Sequence, residues 1–171
     1  MFAEDMMFPT IEQASQRSGL SLRSLYRYFA DPGELVEATI RRSREQAAEL
    51  VRLPHIGNGP VEERLDDFAA MRVRLYETIG PMYRATVHNA ATHARVRDEL
   101  VENRRQLRAQ FELQFAPELA AMSPRQRSSA IEAGDILSQL DSIGLLRRYR
   151  NLTVAETETV LRTGLAALLQ P

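Results

Sequence analysis

Residues Thr10 to Leu35 read TIEQASQRSGLSLRSLYRYFADPGEL, and local chemistry is denser there than anywhere else in the chain. Thr10 opens a short helix as a capping box: its hydroxyl is placed for the Gln13 amide while the Gln13 side chain reaches back to the Thr10 N–H. Ile11 and Ala14 mark the inward face. Gly19 can adopt the left-handed conformation that stops a helix without a Cβ penalty, and Ser21 is a suitable N-cap for the next helix. Two helices joined by a tight turn follow from these residues. The second runs from about Leu22 to Phe29, with Leu25 and Phe29 inward at i, i+4 and Arg23, Ser24, Arg27 and Tyr28 on other faces. Asp31 then caps a third helix with Pro32 at its first position and Glu34 two residues on.

The run Ser18, Gly19, Leu20, Ser21, Leu25, Tyr26, Phe29 resembles the DNA-binding head of the tetracycline-repressor (TetR) family of one-component transcription regulators. The resemblance covers about a sixth of the chain. It implies a helix-turn-helix whose Leu22–Phe29 helix enters the major groove, with Ser21, Arg23, Ser24, Tyr26, Arg27 and Tyr28 as DNA-facing candidates. Tyr26 either meets the phosphate backbone or stays a half-buried aromatic with its hydroxyl in water. The chain departs from the family in two places. Pro32 stands where a phosphate-contacting lysine is usual, and supplies neither charge nor N–H. Only Met1–Glu4 remains of the helix that normally precedes the pair, which predicts an incomplete head. Four lost inward side chains at about 1.5–3 kcal/mol each would be comparable with a domain's net stability of about 5–15 kcal/mol.

With 171 residues, 44% of them hydrophobic, the chain can build a small head and a larger core. The absence of cysteine excludes disulfides, thiolate metal sites and a cysteine nucleophile. No apolar run approaches the roughly 20 residues of a membrane span, and the start lacks the order of a secretion signal, so a cytoplasmic location without membrane partners is expected. A net charge of -1 leaves DNA attraction to a local patch, for which Arg17, Arg23, Arg27, Arg41, Arg42 and Arg44 are the candidates. The exclusive use of arginine among the 22 basic residues reads mainly as coding bias.

The first nine residues, rich in methionine and phenylalanine, should seek apolar cover. From Asp31 to about Leu53 one helix is expected, its charged middle mainly a solvated face. Residues 54–60, PHIGNGP, form a loop. Val61, Leu65, Phe68, Met71 or Arg72, Leu75 and Ile79 follow the 3.6-residue period of a core helix that Gly80-Pro81 should end. A shorter helix follows over Met82 to Ala90, then a long one over about Ala94 to Phe115. Ser123-Pro124 starts a helix to about Leu140, extendable to Leu146, and Thr153 with Glu156 opens the last one. No stretch alternates as a strand does. The expected fold is all-α with about nine or ten helices. The resemblance implies its division into an incomplete helix-turn-helix DNA-binding head with connecting helix (1–53) and a C-terminal helical effector-binding and dimerisation body (54–171).

Chemistry offers few candidates. His88 and His93 lie five apart and point to different faces, so no metal site is expected; Glu62-Glu63 and Asp66-Asp67 suit a helix start. Ser128 and Ser129 are helix surface, and no phosphate loop or nucleophile elbow occurs, so no enzyme, catalytic residue or cofactor is expected. Bodies of the resembled kind enclose a small-molecule effector, and Phe68, Met71, Tyr76, Tyr83, His88 and Phe111 either line such a pocket or fill core. Tyr76, Tyr83 and His88 are its polar candidates, since buried hydroxyls and imidazoles need partners. The last two long helices bring small residues beside aliphatic ones, and Ala133, Gly134, Leu137, Leu140, Val160, Leu161, Gly164, Leu165 and Leu168 are expected in a two-fold homodimer interface. The resemblance thus implies a dimeric regulator, in the usual mode a repressor, that binds palindromic operator DNA and is released by an effector. The alternative is a helical ligand-binding or interaction protein of the same fold whose incomplete head no longer binds DNA.

Overall fold

The structure, a computed structural model, describes residues 10–170. The helical turn expected over Met1–Glu4, the cover expected for residues 1–9 and the Arg44 side chain of the expected basic patch lie outside the described residues. Among the described residues every regular element is helical, so the fold is all-α. In chain order these are α1 (Ile11–Ser18), α2 (Leu22–Tyr28), α3 (Pro32–Leu50), α4 (Val61–Ala90), α5 (Ala94–Gln114), α6 (Ala116–Ala121), α7 (Pro124–Ser138), α8 (Leu140–Gly144), a π-helical turn (Leu145–Tyr149) and α9 (Val154–Leu168). None of these helices is long and apolar enough to cross a membrane.

Two compact units emerge, one of Met1–Glu49 with Pro81–Leu100, the other of Leu50–Gly80 with Val101–Pro171. This division is not the single boundary after residue 53 that the resemblance implies. Residues 81–100 join the first unit because α3 meets the start of α5 there: Ile40 and Val96 are both buried, and Arg95 pairs with Glu37. Long-range pairing of this kind has no sequence signature.

Gly80-Pro81 does not end a helix; α4 runs from Val61 to Ala90 with Pro81 inside it. The proline removes one backbone hydrogen bond, a penalty of about 3 kcal/mol, but Leu75 and Tyr76 before it and Tyr83 and Ala85 after it are buried. Packing on both sides outweighs the lost bond. The helix expected from Pro124 to about Leu140 also breaks differently. Gln139 turns extended (φ -69°, ψ 150°), α8 restarts at Leu140, and the chain passes directly into the π turn.

The second unit has an aromatic centre. Phe68, Phe111 and Phe115 are wholly buried, with ring centroids 5.3–6.0 Å apart in tilted or edge-on contact. Gly134 on α7 makes room for one of them: a Cβ there would lie 2.1 Å from Phe111 Cζ. Arg64 is buried beside this cluster, donating to the Gln114 carbonyl (2.6 Å), the Gly59 carbonyl (3.3 Å) and the Glu118 carboxylate (2.9 Å). Thus the loop before α4 is tied to the α5–α6 junction through one fully engaged guanidinium. Along the edge of the unit, Arg108 on α5 holds Glu132 on α7 (2.7 and 3.0 Å), and Arg162 on α9 holds Asp66 on α4 (2.6 Å). These last pairs are exposed and add little.

Candidate nucleic-acid interface

The α1–α2 pair is assembled from short-range hydrogen bonds. Gln13 N–H donates to Thr10 Oγ1 (3.2 Å) and Thr10 N–H to Gln13 Oε1 (3.0 Å), which completes the capping box. A proton on the neighbouring Glu12 carboxyl is disfavoured by its own backbone N–H and by the Thr10 hydroxyl, so its pKa falls below the usual value. Gly19 closes α1 at φ 72°, its N–H on Ser15 O at 3.1 Å. The turn is then fixed by Ser15 Oγ on the Leu20 carbonyl (2.6 Å) and Leu20 N–H on Ser18 Oγ (3.2 Å). Ser21 caps α2 by accepting from Ser24 N–H at 3.1 Å.

That scaffold turns one residue of each helix inward, Ile11 and Leu25. The other face of α2 is left open. Arg23, Tyr26, Arg27 and Tyr28 are exposed, Tyr28 to 63%. Arg27 lies over the Tyr28 ring (5.2 Å to its centroid) and donates to its hydroxyl at 3.3 Å, so the two present one joint cationic and aromatic surface. Ser24 is half-buried and shares a hydrogen bond with the Ser21 hydroxyl (2.9 Å). Both hydroxyls are committed to the cap. Phe29 ends α2 half-buried, and Asp31 Oδ1 accepts from Glu34 N–H (3.0 Å) while Glu34 Oε2 accepts from Ala30 N–H (2.7 Å). The expected cap of the third helix is therefore present, with the return bond made to Ala30 rather than Asp31.

The other sequence candidates are dispersed. Phe68, Met71, Tyr76 and Phe111 are each buried in the second unit, Phe68 and Phe111 in ring contact, whereas Tyr83 and His88 belong to the first, Tyr83 buried and His88 exposed. Of the residues expected at a dimer interface, Gly134, Leu140, Leu161 and Leu165 are buried within the chain, and Gly164 rests on its own Leu137 (3.2 Å from the place of a Cβ). Ala133, Leu137, Gly164 and Leu168 remain half-buried and Val160 exposed. Ile136, 64% exposed and one helical turn from Ala133, belongs to this surface and was legible from its spacing alone.

Two further features had little or no sequence signal. A cleft of about 640 Å³ in the first unit is lined by Glu37, Ile40, Arg41 and Glu45 from α3 and Arg95, Val96, Asp98 and Glu99 from α5. In the second unit Arg72 occupies an inward position of α4, which its place in the apolar period hinted at. Among the described residues no group of three or more His, Asp or Glu could hold a metal ion. Compared with family models, curated proteins and solved structures, the chain matches none of them.

Proposed function

We propose that this protein is a dimeric TetR-like transcription regulator that reads DNA with α2 and is released by a small-molecule effector held in its second unit. The observation that carries the reading is the α1–turn–α2 pair. A left-handed Gly19 and a Ser21 cap hold a short helix with only Leu25 buried, and its open face carries Arg23, Tyr26, Arg27 and Tyr28. Such a face combines arginines for phosphates and guanine edges with aromatic hydroxyls for the backbone. Two copies related by a dyad would meet half-sites about 34–36 Å apart. The α7–α9 surface with Ile136, Leu137, Val160 and Leu168 supports pairing of the copies. An effector that binds better to one separation of the two heads shifts the population away from the operator-bound form.

The test is a binding survey of the protein over randomised palindromic DNA. Selective enrichment of one half-site, lost or relaxed at one base position in Arg23→Ala, is the expected result. Equal retention of all sequences by both proteins would overturn the assignment of α2 as reader. Sedimentation addresses pairing separately: Val160→Arg, at an exposed position, should convert dimer to monomer, and a monomer before substitution rejects the dimer.

A further inference from the structure

Arg72 heads the fully buried side chains by volume among the described residues, yet its guanidinium finds only neutral oxygens to bond. One terminal nitrogen donates to Gln110 Oε1 (2.9 Å), the other to the Leu107 carbonyl (2.6 Å), and the group lies 4.6 Å from the centre of the Phe68 ring. Its Nε–H meets no acceptor. Burial draws the Arg72 pKa down to about 9, which still leaves the group charged at neutral pH. The carboxylate whose field favours that charge, Asp135, is spent elsewhere: it stands 3.5 Å from Arg108 and accepts from Gln139 Nε2.

One helical turn onward on the same face of α4, the Tyr76 hydroxyl is also buried without a partner, against Gly144. Two unmet donors, one of them cationic, therefore lie in the core of one unit. A charge buried without its counter-charge is costly, and an apolar side chain of similar volume would fill the place without that cost. What arginine adds is the parallel pair of an Nε–H and a neighbouring Nη–H that matches the two oxygens of a carboxylate.

We propose that the effector is a carboxylic acid whose carboxylate is received by Arg72, with the Tyr76 hydroxyl as a second donor and Met71 and Phe111 beside its apolar part. The proposal rests on the effector reading above and names the class of molecule that site takes.

Calorimetric titration of the whole chain with matched pairs tests it, octanoate against octan-1-ol and benzoate against benzamide. The carboxylate of at least one pair should bind about tenfold or more tighter than its neutral partner. Arg72→Met should remove that difference, and Arg72→Lys, which keeps an N–H donor but loses the fork, should retain part of it. Tyr76→Phe should weaken the carboxylate about two- to tenfold. Equal affinity within both pairs, or carboxylate binding unchanged in Arg72→Met and Arg72→Lys, overturns the proposal. Binding of the neutral partners alone overturns it while leaving the effector reading intact; silence of all four probes overturns both.

Discussion

The start of the first unit and the core of the second are held by opposite means. In α1 and α2 a single residue per helix is buried, and order comes from capping hydroxyls, a left-handed glycine and serine bonds across the turn. In the second unit three packed phenylalanines carry the centre, and the two buried arginines, Arg64 and Arg72, are bonded across helices. Caps act over three to five residues and leave one face free, which suits a surface that must present side chains to a partner. An aromatic core acts across 40 residues or more, as Phe68 and Phe111 do, and suits an interior that must hold its shape.

The sharpest way to break this comparison is to remove the aromatic centre. Phe111→Ala should cost about 3–5 kcal/mol, because a wholly buried ring that touches Phe68 and Phe115 leaves a cavity between three helices. Chemical denaturation measures it. A loss under about 1 kcal/mol would mean the unit does not depend on this cluster. Filling the same space from the other side is the next effect. Gly134→Ala puts a methyl group 2.1 Å from Phe111 Cζ and should cost about 1–3 kcal/mol through displacement of the ring.

Smaller still is the removal of a cap. Ser21→Ala leaves the Ser24 N–H without its 3.1 Å acceptor and should cost about 1 kcal/mol, expressed as fraying of α2. Hydrogen exchange at the amides of Leu22 to Leu25 should quicken, while the amides around Phe111 should not. Equal quickening in both places would show that caps and core form one cooperative element.

These contrasts explain what could be read from the chain. The Thr10–Gln13 box, the Gly19 stop, the Ser21 cap and the Thr153–Glu156 box are each a rule about neighbours, and each stands in the structure as the sequence suggests. Arg23, Tyr26, Arg27 and Tyr28 are exposed because only Leu25 is needed inside. The run through Pro81 was illegible because a local breaker was outweighed by packing from other helices. The cleft between Glu37 and Arg95, the Arg64–Glu118 pair and the unmet Nε–H of Arg72 all join residues that are distant in sequence or depend on the exact course of a third helix. Periodicity left Met71 or Arg72 as the inward residue, whereas both are buried, and it could not say what the guanidinium would meet.

The smallest effect separates two caps of the same design. The box at Thr10 uses Gln13, which carries no charge, whereas the box at Thr153 uses Glu156, whose carboxylate accepts from Thr153 N–H (2.7 Å) and Thr153 Oγ1 (2.7 Å). Those bonds favour the charged form, and the Glu156 pKa falls below its ordinary value of 4.5, the Thr153 backbone being the larger cause. A carboxylate whose pKa is lower folded than unfolded contributes stability that is complete above the unfolded pKa and is lost as pH falls through the folded one. Glu132, lowered by the Arg108 hydrogen bond, acts in the same direction. Glu156→Gln preserves the geometry of the box, since glutamine fills that position equally well, but removes its titration. The substitution should therefore flatten the decline of stability between about pH 5 and the folded pKa, and Glu132→Gln should flatten it further. Gln13→Glu should do the reverse for α1, adding a second acid-sensitive carboxylate beside Glu12. Denaturation midpoints at pH 7 and across the acid limb measure all three. An acid limb unchanged in the Glu156→Gln, Glu132→Gln double variant would place the titrating groups elsewhere and remove the distinction between the two boxes.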